Sequence, residues 1–128
     1  MNTARLNNTS TLIGRSMIAV IFIVAGAGKI TGYAGTQGYM ESLGVPGLLL
    51  PLVIAVEIFG GIAILLGYQT KIAAFLLGGF TILTAIIFHS DFGQQMQMIL
   101  FMKNLAISGA FLLLFVHGPG QWALNSNN

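Results

Sequence analysis

The chain has 128 residues, of which 55% are hydrophobic and only 6% charged, with a formal net charge of +2. A water-soluble domain carries about a quarter charged residues, so an ordinary solvated surface is excluded and a lipid bilayer is the expected partner. No Lys/Arg cluster interleaved with aromatics is present to track a phosphate backbone, which excludes nucleic acid, and the absence of cysteine excludes disulfides, thiol catalysis and iron–sulfur ligation.

Four apolar segments follow one another along the chain: Leu12–Ile30, Leu48–Gly67, Ile72–Phe88 and Met98–Val116. Each is long enough, or nearly so, to cross a hydrocarbon core of about 30 Å at about 1.5 Å per residue. The third is short unless His89 and Ser90 complete its last turn, which gives spans of about 12–30, 48–67, 72–90 and 98–116. The sequence therefore predicts an all-α fold, an integral membrane four-helix bundle forming a single domain over residues 1–128.

The first segment follows Arg5 and contains Arg15, and Ala25-Gly26-Ala27 resembles a signal-peptide cleavage site. A retained first span and a cleaved leader are the two readings of that pattern. The connection Thr31 to Gly47 is the longest. Thr36 could cap a short interfacial helix ending at Leu43, with Gly44 as left-handed terminator and Pro46 beyond it; an irregular loop is the alternative. Tyr33, Tyr39 and Met40 suit a membrane interface. Gly67-Tyr68-Gln69-Thr70-Lys71 reads as a tight turn with Thr70 as N-cap. Gly118-Pro119-Gly120 stops the fourth span, and the Asn-rich tail, residues 118–128, reads as frayed and solvated. Arg5, Arg15 and Lys71 on one side outnumber Lys29 and Lys103 on the other, which orients both termini toward the cytoplasm.

Small residues mark close helix approaches: Gly60 and Gly61 in the second span, Ala74 and Gly78 in the third, Ala106 and Ala110 in the fourth. Gly26 and Gly28 read as small residues of a membrane helix, not as part of a nucleotide-binding turn. No internal repeat is evident, so an inverted-repeat transporter is not expected.

Glu57 is the most informative residue. An acid at the centre of a span costs about 2.5–3.5 kcal/mol on insertion scales, so a partner charge, a ligand or a proton must compensate it. Helical rise places Glu57 about 13 Å from one end of its span, and Lys103 about 7 Å from that same side. The gap of about 6 Å is within reach of a lysine. The expected pair is Glu57–Lys103, with Asn104 beside it; a neutral Glu57 is the alternative. Arg15 is a weaker partner by depth. Arg15, Lys29 and Lys103 could each instead snorkel to an interface. Glu57 could serve as a structural ion pair or handle a ligand or proton. His89, at the end of the third span near Lys29 and Asp91, is either an interfacial histidine or a functional one. His89 and His117 fall on opposite sides of the membrane, so they cannot ligate one haem, and no cluster has metal-ligand spacing. Glu57, Lys103, Asn104, His89, Lys29 and Arg15 are thus the candidate ligand-binding or proton-handling residues, and no catalytic or metal residue is assigned.

These residues carry a family resemblance. Arg15, Gly28-Lys29-Ile30 with Tyr33, Tyr39-Met40, Leu43-Gly44-Val45-Pro46, Glu57 with Gly60-Gly61, Lys103-Asn104 and Gly118-Pro119-Gly120 cover nearly the whole chain in order. The chain resembles the DoxX family of small bacterial membrane proteins, in particular the short inner-membrane members from enteric bacteria. The resemblance implies a four-helix protein of the bacterial inner membrane. Some relatives are linked to quinone-coupled oxidation, as in thiosulfate:quinone oxidoreductases, and many are labelled quinol oxidase subunits. The expectation that follows is a quinone-linked accessory subunit, with quinone as the ligand and no covalent or metal cofactor. Nothing in the chain carries electrons, so a redox protein partner would supply the redox centre. The alternative is a small permease or membrane scaffold with a structural Glu–Lys pair, acting as a homodimer if it transports.

Overall fold

The computed structural model describes residues 2–125. They form five helices in the order α1 (Thr3–Thr31), α2 (Tyr33–Ser42), α3 (Leu50–Leu66), α4 (Thr70–Phe88) and α5 (Gln95–His117), with a 3-10 turn at Gly47–Leu49 before α3. The fold is all-helical, and α1, α4, α5 and the segment Gly47–Leu66 are long and apolar enough to cross a membrane. The bundle has two ends. The terminal end holds the start of α1, the end of α5 and the α3–α4 turn; the far end holds α2 and the α4–α5 loop.

Sequence chemistry accounts for the helix boundaries. Asn2 caps α1, its Oδ1 accepting from the Arg5 N–H at 2.8 Å, so the helix starts well before the apolar stretch and its first two turns are polar. Gly32 separates α1 from α2. The interfacial helix predicted in the first connection is present, but it starts at Tyr33, so Thr36 lies inside it and does not cap it. Gly44, with φ of 81°, terminates it as expected. Gly67 closes α3 with φ of 71°. The cap residue of α4 is Gln69, in the left-handed region at φ 46°; Thr70 is already helical, which corrects its assignment as N-cap. His89 lies just beyond α4, its N–H bonded to the Ala85 carbonyl at 3.0 Å. The span gains its length at the other end, from Thr70 and Lys71, rather than from His89 and Ser90.

Helix α1 packs against α3 and α4 against α5, while α3 and α4 join the two pairs. Three glycines set those approaches. A Cβ on Gly26 would lie 2.5 Å from Ile58 Cγ1, and one on Gly61 would lie 2.9 Å from Ile23 Cγ1. The α1–α3 contact therefore needs both positions bare. A Cβ on Gly78 would come within 3.2 Å of Phe111 Cβ, which fixes α4 against α5. Gly60 faces Leu77 of α4 rather than sharing the α1 side with Gly61. In α5 the close neighbour is Ser108, whose Oγ donates to the Gly78 carbonyl at 3.1 Å. Ala106 is exposed, so Ala106 and Ala110 do not form the expected small-residue contact.

The apolar core is concentrated toward the terminal end: Ala19, Phe22, Ile64, Ala74, Leu77, Phe111 and Leu114. Phe22 and Phe111 bring α1 and α5 together there with ring centroids 5.4 Å apart. Most large apolar side chains point outward, among them Val24, Phe59, Phe75 and Leu112. In water that would be an aggregation hazard; in a bilayer it is the lipid-facing surface.

The tail is ordered where it was expected to fray. The Leu124 and Asn125 N–H groups donate to the Leu66 and Gly67 carbonyls at 3.0 and 3.2 Å, and Asn125 Oδ1 accepts from the Gln69 N–H at 2.9 Å. Residues 118–125 thus cover the α3–α4 turn. The rest of the expected frayed tail, residues 126–128, lies outside the described residues.

Candidate functional site

The far half of the bundle holds an open-mouthed cavity of about 400 Å³. Phe22, Ala25 and Lys29 of α1 line one wall, and Val53 and Glu57 of α3 another. Phe80, Thr84 and Phe88 of α4 form a third, with Lys103, Asn104 and Ile107 of α5 opposite. Helix α2 covers it through Tyr39 and the buried Met40. Tyr39 stacks on Phe88 with centroids 5.7 Å apart, which holds the cover to the end of α4. The return of the chain to α3 is equally tight: a Cβ on Gly47 would lie 2.5 Å from Gln37 Cγ.

Glu57 is buried, and its partner is Lys29. Lys29 Nζ lies 2.8 Å from Glu57 Oε1, with the two side chains 29% and 7% exposed. The contact is an ion pair rather than an aligned hydrogen bond. This corrects the expected Glu57–Lys103 pair. The reason is lateral rather than vertical. Gly26 lets α1 touch α3 beside Glu57, the nearest Glu57 atom being Cβ at 3.4 Å from a would-be Gly26 Cβ. Lys29 stands one helical turn further along α1 and folds back to the carboxylate. The second Glu57 oxygen has no protein hydrogen-bond partner among the described residues.

Asn104 is buried and serves α4 rather than Glu57. Its Nδ2 donates to the Thr84 hydroxyl at 3.3 Å and reaches the Thr81 carbonyl at 3.4 Å. Thr81 and Thr84 in turn donate to the Leu77 and Thr81 carbonyls. The amide oxygen of Asn104 is left without a protein partner among the described residues. Lys103 lines the cavity without an ion-pair partner among them. His89 lines the far mouth, with Nδ1 3.1 Å from Gln97 Oε1. Five of the six candidate residues therefore meet around one cavity: Glu57, Lys29, Lys103, Asn104 and His89.

Arg15 does not join them. It is buried at the terminal end, where Nη2 donates to the Trp122 carbonyl at 2.7 Å. Its guanidinium also packs against Gly67, so it ties the tail to the α3–α4 turn. Neither snorkelling nor a mid-membrane partner describes it. His117 ends α5 on that same side, across the bundle from His89. Thr84, Tyr39 and Phe88 are among the lining residues that the sequence did not single out for the site. The spacing Thr81, Thr84, Phe88 along one helical face was the available signal.

The fold is that of a polytopic helical membrane protein, with a partly polar cavity in one half of the bundle. The DoxX family model matches residues 10–90, and the chain belongs to the DoxX family. It is similar to the Escherichia coli inner membrane protein YqjF, at 52% identity over 94% of this chain and 93% of that protein. It is also similar to the Escherichia coli inner membrane protein YphA, at 41% identity over 89% and 86% of the two chains. A Bacillus subtilis protein named "Putative oxidoreductase CatD" is 34% identical over 60% of this chain and 57% of its own length. No solved structure matches the chain. The four apolar helices and the two full-length relatives support an inner-membrane location.

Proposed function

We propose that this DoxX protein is a quinone-linked accessory subunit of an inner-membrane oxidoreductase system, and that the far-half cavity receives the quinone head group. The observation that carries the reading is the convergence of Glu57, Lys103, Asn104 and His89 on one aromatic-lined cavity inside the lipid-facing part of the protein. A bilayer-borne ring with two oxygen acceptors needs apolar walls and a few fixed polar groups. The donor set fits. Lys103 offers an ammonium donor to a quinone carbonyl, Asn104 a free amide oxygen that accepts from a quinol hydroxyl while its amide N–H groups are held by Thr81 and Thr84, and His89 a ring nitrogen at the mouth. When bound, a quinone supplies reversible two-electron, two-proton chemistry. Glu57 would hold or release a proton at its carboxylate, with Lys29 as its counter-charge at 2.8 Å. Lys103 and Asn104 would orient the ring.

Electrons must come from a redox protein partner, since the chain has no cysteine and its histidines stand at opposite ends. The word oxidoreductase in the Bacillus subtilis relative's name is consistent with such a system. The cytoplasmic orientation of both termini belongs to this proposal, and so does docking of the partner at the far end. Photolabelling of inner-membrane vesicles with an azidoquinone tests the reading. Adducts are expected on α4 and α5 residues of the cavity and should be suppressed by excess quinone. Adducts scattered over the lipid-facing residues would refute it.

A second reading has its own support. Lys29–Glu57 sits where Gly26 and Gly61 bring α1 and α3 together, as a register-fixing pair in a scaffold or permease would. Liposome transport of a solute, lost in a Glu57→Gln variant, would favour the permease form of that reading, which also calls for a homodimer.

A further inference from the structure

Two of the five basic residues in the sequence line the same cavity. Lys29 is matched by Glu57. Lys103 is not matched: no carboxylate lies within ion-pair range of it among the described residues. Glu41 and Asp91, on the elements flanking the far mouth, do not line the cavity. The other titratable groups that face it are His89, just past the end of α4, and Tyr39 of α2, neither of which is a carboxylate. The lining therefore carries one uncompensated positive charge.

The depth of Lys103 makes that charge significant. It lies five residues past Met98, where the apolar run of α5 begins, about 7 Å along the helix, and it is exposed on the outside of the bundle as well as lining the cavity. Its neighbour Asn104 bonds to Thr81 and Thr84, which lie inside α4 rather than at its end. An intramembrane cation at that level is costly without a counter-charge, and here the cavity beside it is walled by Phe22, Phe80 and Phe88.

We infer that the cavity selects an acidic aromatic ligand, a phenolate or hydroxyquinone anion, with Lys103 as the counter-ion and the ring held between the apolar walls. This rests on the quinone reading above and narrows it from quinones in general to ring systems bearing an ionised oxygen. Glu57 does not oppose it, because Lys29 already neutralises that carboxylate.

The test compares two ligands of nearly the same shape. Lawsone, a hydroxynaphthoquinone, is ionised at neutral pH; its methyl ether is neutral. Each is titrated calorimetrically into the full-length protein in nanodiscs of zwitterionic lipid, with empty nanodiscs correcting for partition. The anion is expected to bind at least about tenfold tighter than the ether, a modest fraction of a close charge pair at intermediate dielectric. In Lys103→Met the preference should fall to less than about twofold, and in Lys103→Arg, which keeps the charge, it should persist. Equal affinities in the wild-type protein, or a preference that survives Lys103→Met, overturn the inference and leave the quinone reading standing. Binding of neither ligand above empty nanodiscs overturns both.

Discussion

Lys29→Met should destabilise the bundle more than Glu57→Gln does, and a double-mutant cycle between the two should show strong coupling. Removing the lysine leaves a carboxylate whose side chain is 7% exposed without its counter-charge. Removing the carboxylate leaves a lysine near the end of α1, 29% exposed and able to turn toward the interface. At 2.8 Å and an effective dielectric of about 20, the pair attracts by about 6 kcal/mol. Desolvation of Glu57 and screening at the partly exposed lysine reduce the net coupling to about 1–3 kcal/mol. Steric-trap unfolding in bicelles of the wild type, both single variants and the double variant measures this directly. A parallel cycle between Glu57 and Lys103 should give less than about 0.5 kcal/mol, the scatter of independent sites. Coupling that resides in Lys103 and not in Lys29 would refute the α1–α3 pairing.

Gly26→Ala should destabilise by about 1–3 kcal/mol, because the new methyl meets Ile58 Cγ1 at 2.5 Å. Gly79→Ala, with nothing within 4 Å of the added Cβ, should be neutral or stabilising by up to about 1 kcal/mol, and the same unfolding assay compares them. Arg15→Met should free the tail at a cost of about 1.5–3 kcal/mol for a charge-assisted hydrogen bond, read as faster hydrogen exchange at the Leu124 and Asn125 amides. Asn104→Leu should cost stability only about 0.6 kcal/mol, the mean for hydrogen bonds between membrane helices. If the cavity is a ligand site, its effect on quinone photolabelling should be far larger than that small loss.

The four spans were legible because lipid-facing helices are apolar all round, so length and hydropathy alone reveal them. Their ends were less so. The first two turns of α1 carry Arg5, Asn7 and Asn8 and lie outside any apolar window, yet Asn2 caps them into one helix with the span. The site residues were legible as polar groups in apolar surroundings, and five of six do meet around one cavity. Their pairing was not legible. Rise per residue gives depth along a helix but says nothing about which helices touch. Gly26 on α1 and Gly61 on α3 held that information, but a glycine in a membrane helix looks the same whether or not a neighbour sits against it. The order in residues 118–125 was hidden for a similar reason. A polar, Asn-rich tail reads as solvated until Arg15, more than a hundred residues away in sequence, is seen to hold the Trp122 carbonyl.

Native mass spectrometry of the full-length protein released from its own membrane in mild detergent tests the central claim most directly. The wild-type species is expected to carry a bound quinone. Asn104→Leu is expected to lack that adduct while retaining the same phospholipid adducts. A wild-type protein that keeps its phospholipids and carries no quinone, or a quinone adduct equally abundant in Asn104→Leu, would contradict it.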